Sequence, residues 1–181
     1  MGKIVIAEFM SLDGVIEAPH TWHFPYMTDD MGEHAVQQIL ESDAFLYGRK
    51  TYEEFAGFWS TQVNNEFGFA DKLNAAPKYV VSTTLESADW NNSTLIKTNV
   101  IEEIKRLKQE ISGIISMTGS ATLIQSLMQE NLIDEYQLMI HPIVVGKGVR
   151  LFRDGMNTLP LKLVSTRVFD GGVILAIHHP A

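Results

Sequence analysis

The sequence predicts a three-layer α/β domain built on a mixed, mostly parallel sheet with a C-terminal antiparallel hairpin. Three observations carry this. Short apolar runs of strand length alternate with segments of helical period through the first three quarters of the chain. The stretch from Ile111 to Phe152 has the order strand, small-residue turn, helix, strand, which is a crossover unit. Near the end, Leu161 to Phe169 and Val173 to His178 flank Asp170-Gly171-Gly172, a hairpin signal.

With 181 residues, the chain fits one domain spanning 1–181 with room for a substantial core. The net charge of −8 argues against nucleic acid, because no basic stripe is present to neutralise phosphates. Lys105, Arg106 and Lys108 form a basic cluster interleaved with Glu102, Glu103 and Glu110, which reads as a solvated helix face. The absence of cysteine excludes disulfides, thiolate nucleophiles and cysteine-ligated zinc. No apolar run approaches a membrane span, and the N-terminal run is too short for a signal peptide, so a cytoplasmic protein without membrane partners is expected.

Lys3 to Met10 reads as a buried first strand, closed by Ser11-Leu12-Asp13-Gly14. Val15 to Tyr26 is a loop rich in aromatics, His and Pro, suited to closing over a ligand or to packing on its own core. Thr28 or Asp29 caps a helix that runs to Glu41, with Ala35, Val36, Ile39 and Leu40 inward. Ala44 to Tyr47 is a second strand, and a helix starts at Arg49 just after Gly48. A polar stretch over 61–66 leads to a weakly helical segment ending near Pro77. Lys78 to Ser82 and Thr94 to Lys97 are strands, and Val100 to Ile111 is an amphipathic helix. Ile114 to Met117 is a strand, a helix follows and fades at Asn131, and Glu135 to Val145 is a strand ending before Gly146-Lys147-Gly148.

Two turns stand where a strand's carboxyl end meets a helix N-terminus: Gly48-Arg49-Lys50-Thr51 and Thr118-Gly119-Ser120-Ala121-Thr122. Free N–H groups and the positive end of the helix dipole suit an anion there. The structural alternative is that Ser120 is an N-cap and Gly119 a turn residue. Gly146-Lys147-Gly148 lacks the third glycine and following helix of a dinucleotide fingerprint, so it reads as a strand-end turn. His20, His23, Asp29, Asp30, Glu33 and His34 could be imagined as a metal site, but the loop and helix start explain them without one. Asp13, Glu17, Asp29 and Asp30 are candidate proton donors if burial raises a pKa; equally, Asp13 holds a turn and Asp29 or Asp30 caps a helix.

The Ser11–Gly14, Gly48–Tyr52 and Thr118–Thr122 segments, with Leu132-Ile133-Asp134-Glu135 through His141 to Gly148 and Leu151-Phe152, resemble the dihydrofolate-reductase-like family. They are most similar to the pyrimidine reductase domain of riboflavin biosynthesis and its stand-alone relatives. The resemblance implies NADPH as hydride donor and a heterocyclic or ribosylamino-pyrimidine acceptor, as for a 5-amino-6-(5-phosphoribosylamino)uracil reductase. It implies cofactor contacts at Ala7, Ile16, Gly48, Arg49, Thr51, Ser82, Thr83, Gly119, Ser120, Ala121 and Thr122, and a substrate contact at Trp22. Asp13 and Asp30 are the carboxylates expected near the chemistry. A homodimer is expected, with Ile140 to Val145 as apolar surface to cover. Alternatives are a non-catalytic nucleotide-binding module and a dihydrofolate reductase proper.

Overall fold

The computed structural model describes residues 1–63 and 67–181, so the expected polar stretch lies partly outside the described residues. Strand β1 (Lys3–Ser11) is followed by helix α1 (Asp29–Glu41), β2 (Ala44–Gly48), α2 (Arg49–Trp59) and α3 (Phe69–Ala75). Then come β3 (Lys78–Val81), β4 (Ser93–Ile96), α4 (Val100–Glu110), β5 (Ile114–Met117), α5 (Ala121–Gln129), β6 (Glu135–His141), β7 (Leu161–Val168) and β8 (Ile174–Pro180).

All eight strands form one sheet in the order β4-β3-β2-β5-β1-β6-β8-β7. The six from β4 to β6 run parallel; β8 pairs antiparallel to β6, and β7 antiparallel to β8. This is the expected mixed sheet with its terminal hairpin. Period-2 alternation divides the central strands between two cores. Leu46 of β2 joins Ile4 and Ile6 of β1 against Ile104 and Leu107 of α4 and Leu123, Ile124 and Leu127 of α5. Phe45 and Tyr47 face the other way, onto Tyr52 of α2 and Leu73 of α3. Helices therefore cover both sheet faces, as near-continuous apolar parallel strands require.

Several elements depart from the expectations. β6 stops at His141 rather than Val145, because its neighbour β1 ends opposite it at Ser11 and Pro142 has no N–H to extend the ladder. In α1 only Met31 is fully buried; Ala35, Val36 and Ile39 are half-buried, and Leu40 is exposed rather than inward. Lys108 does not belong to the solvated face. It is buried, and its Nζ donates to the Leu132 carbonyl and pairs with Asp134. Asp134 also accepts the Ile4 amide while its own N–H donates to the Ile4 carbonyl, tying α4, β1 and the entry to β6 together. Lys105 and Arg106 keep their exposed pairs with Glu102, Glu103 and Glu110.

Candidate active site

The chain reverses its direction of strand addition around β1. It first moves outward through β2, β3 and β4, then returns to insert β5 between β2 and β1. Crevices form beyond the carboxyl ends of strands at such a reversal. Here it is bounded by the turns after β2 and β5 and by the loop after β1.

The two turns interlock. A Cβ added to Gly48 would lie 2.1 Å from Oγ of Ser120, and one added to Gly119 would lie 2.4 Å from Oγ1 of Thr51. Each glycine is thus a contact surface for the other turn's hydroxyl residue. Gly119 and Ser120 both have positive φ, 68° and 57°, which swings the chain from β5 into α5. Ser120 is the N-cap of α5 by position, yet its side chain makes no cap bond, and Gly48 leaves α2 uncapped in the same way. Both helices present N-terminal amides free of side-chain caps to one space.

That space is an open cleft of about 550 Å³, within the range of small-molecule sites. Of the residues singled out from sequence, Ile16, Arg49, Thr51, Gly119, Ser120, Ala121 and Thr122 line it. Gly48 stands immediately behind Ser120. Ala7, Trp22, Ser82 and Thr83 are not in the lining. Ser82 and Thr83 follow β3, one strand beyond β2, and the Ser82 hydroxyl accepts the Thr84 and Leu85 amides. Trp22 is buried and its indole N–H donates to the Glu17 carbonyl. Arg49 is exposed and pairs with Glu53 at 2.9 Å.

The two expected catalytic carboxylates are both engaged as anchors. Asp13 accepts from the Ser11 hydroxyl at 2.7 Å and from the Val145 and Gly146 amides at 3.0 and 2.9 Å. The Ser11 hydroxyl and those amides hold its carboxyl far below the usual carboxylate range, so it is ionised at neutral pH. Asp30 accepts from the Thr28 hydroxyl and the Asp170 amide, fastening the start of α1 to the hairpin turn. Thr28 also pulls its pKa down. Neither is in the cleft lining, and an ionised carboxylate suits holding loops rather than giving up a proton.

One carboxyl of the opposite kind does line the cleft. Glu8 is 3% exposed and accepts from the Gly119 amide. Burial pushes its pKa up to about 8, partly offset by that hydrogen bond. Sequence reasoning passed over it, although a lone Glu inside the apolar strand Ile4-Val5-Ile6-Ala7-Glu8-Phe9-Met10 was a signal. Glu17, His20, Lys50, Glu54, Phe55 and Val149 also line the cleft.

Behind the loop, His141 at the end of β6 is fully buried, with the rings of Phe9, Trp22, His23 and Tyr26 around it. Burial lowers the pKa of both His141 and His23 and favours neutral imidazoles. The loop from Val15 to Tyr26 thus packs on its own core as well as bounding the cleft. Among the described residues no group of three or more His, Asp or Glu could hold a metal ion, and no helix is long and apolar enough to cross a membrane.

Sheet order, hairpin and switch-point cleft together define a dihydrofolate-reductase-like domain. The dihydrofolate reductase of Enterococcus faecalis, solved with NADP(H) and RAB-propyl, superposes with TM-score 0.64 at 14% identity, over 98% of this chain and 96% of that one. A pyrimidine reductase-like protein from Corynebacterium diphtheriae gives TM-score 0.72 at 14% identity, over 99% and 92%. More narrowly, the chain belongs to the RibD C-terminal domain family, whose model matches residues 2–175. The uncharacterized protein YyaP of Bacillus subtilis (strain 168) is 33% identical across 98% of this chain and 94% of its own length.

Proposed function

We propose that this protein is an NADPH-dependent reductase that transfers hydride to a small heterocyclic acceptor of the ribosylamino-pyrimidine type. The observation that carries the reading is the meeting of two uncapped helix N-termini, with Arg49 and Lys50 beside them, in one cleft at the carboxyl edge of the sheet. Such a donor set fits a dinucleotide's phosphates. Family membership supports the acceptor class.

In this reading the amides at the start of α5, from Gly119 to Thr122, and Thr51 hold the pyrophosphate, and Arg49 faces the 2′-phosphate. Ser82 and Thr83 contribute at the ribose side, and Ala7 and Ile16 at the nicotinamide. When bound, NADPH supplies the hydride. The chain's residues bind, orient and exclude water. Trp22 serves the acceptor side by pinning the loop through the Glu17 carbonyl. Asp13 and Asp30 act by fixing the walls: the Asp13 carboxylate holds the segment that carries Val149 into the cleft.

The protein works as a cytoplasmic homodimer in this proposal. Its support is exposed apolar surface at Val144, within Ile140–Val145, and at Leu163, Val164 and Val168 on β7, the sheet's outer edge. Light scattering at micromolar protein should read twice the monomer mass.

Titration with NADPH and NADH, followed by tryptophan quenching, tests the cofactor. Preferential NADPH binding is expected, and binding of neither would overturn the reading.

A further inference from the structure

Glu8 interrupts an otherwise apolar face. On β1 it lies between Ile6 and Met10, both in the core packed under α4 and α5. The parallel register explains its partner. Ile6 sits opposite Met117, the last residue of β5, so two residues further along each chain Glu8 comes level with Gly119. There the ladder has ended, and the Glu8 side chain accepts the amide that a continuing strand would have taken. Among the described residues this is its only hydrogen bond, and no cation pairs with it.

An isolated carboxylate buried in this way is costly, whereas its neutral acid carries an O–H that can be given to a neighbour. Glu8 lines the cleft beside the anion-friendly turn at Gly119, so an acceptor group bound there is the neighbour available. An ionised Glu8 would instead repel a phosphate at the same place.

We propose that Glu8 is a ligand-binding residue that acts as the neutral acid, donating its O–H to an acceptor atom of the bound nicotinamide dinucleotide. The assignment rests on the cofactor reading above and makes binding proton-linked. The raised pKa of about 8 sets the window, since ionisation above it costs affinity. Among the described residues, other charged or titratable groups reach the cleft from only two elements: Glu17 and His20 on the loop after β1, and Arg49, Lys50 and Glu54 on α2. β5 and α5 bring none, and β6 places Leu138 opposite Glu8.

NADPH titrations from pH 6.5 to 9.5 on wild type and Glu8→Gln test this. The wild-type dissociation constant should rise toward about tenfold per pH unit above 8. Glu8→Gln, which keeps shape and an N–H donor, should bind nearly as well at pH 7 and lose that slope. Calorimetry of wild type at pH 9, in two buffers of different ionisation heat, should show about one proton taken up per NADPH bound. That measurement holds even if the variant fails to fold. Tight binding with identical pH profiles, or without proton uptake, overturns the role of Glu8 alone. Absence of NADPH binding at every pH would take the cofactor reading down with it.

Discussion

Gly48 and Ser120 touch so closely that the smallest side chain at position 48 would come within 2.1 Å of the serine hydroxyl. The φ of Gly48 is −81°, an ordinary value, so steric room and not backbone freedom is what glycine provides there. Gly48→Ala should therefore pry the two turns apart. A loss of about 1–3 kcal/mol in stability is expected from overpacking. NADPH affinity should fall more than tenfold. Thermal unfolding and the same titration check both. Ser120→Gly should restore room in the double variant, and failure of that rescue would disprove the steric account.

Arg49→Ala should leave the fold intact. Its partner is Glu53 on the same exposed helix face, and such pairs contribute under about 0.5 kcal/mol. Affinity for NADPH should drop about tenfold or more, the scale of one charge-assisted phosphate contact, with little change for NADH. Equal losses for both cofactors would remove Arg49 from the 2′-phosphate.

Asp13→Asn separates an anchor from a proton donor. The folded pKa lies below the unfolded one, so the native state binds fewer protons. This contribution is present above the unfolded carboxylate pKa of about 4 and is lost as pH falls toward the folded value. Wild-type urea midpoints should therefore decline between pH 5 and 3 more steeply than those of the variant. At pH 7 the variant should already be the less stable. Unchanged stability with abolished turnover would instead mark Asp13 as part of the chemistry.

Lys108→Met should destabilise by about 2–3 kcal/mol, the cost of stranding half of a largely buried ion pair, discounted because Asp134 is about one-third exposed. The Leu132 carbonyl also loses its donor. Urea unfolding reads the loss. Lys105→Met, on the exposed side of the same helix, should change stability little.

Local pattern made the architecture legible. Apolar runs and helical periods located the strands and most helices, because burial imposes those periods directly. The turns after β2 and β5 were legible as helix starts for the same reason: composition and position alone define a helix N-terminus. What escaped were properties set by partners far away in the chain. Whether Lys108 is solvated depends on Asp134, 26 residues on. Asp13 is an anchor because amides 132 and 133 residues later reach it. Glu8 is held by Gly119, 111 residues away. Charge type is readable from a sequence, but the state of a charge is decided by tertiary neighbours.

The order of the sheet also bears on how the protein is made. β1 leaves the ribosome well before the strands that flank it, β5, beginning at Ile114, and β6, ending at His141. Its apolar residues must wait until Ile114 and the residues after it are synthesised before either flank is covered. During that interval the nascent segment is a sticky strand with two open sides, the situation in which chaperone capture and misassembly are most frequent. Slow decoding across residues 11–114 should therefore lower the yield of soluble protein more than a pause of equal length placed after His141.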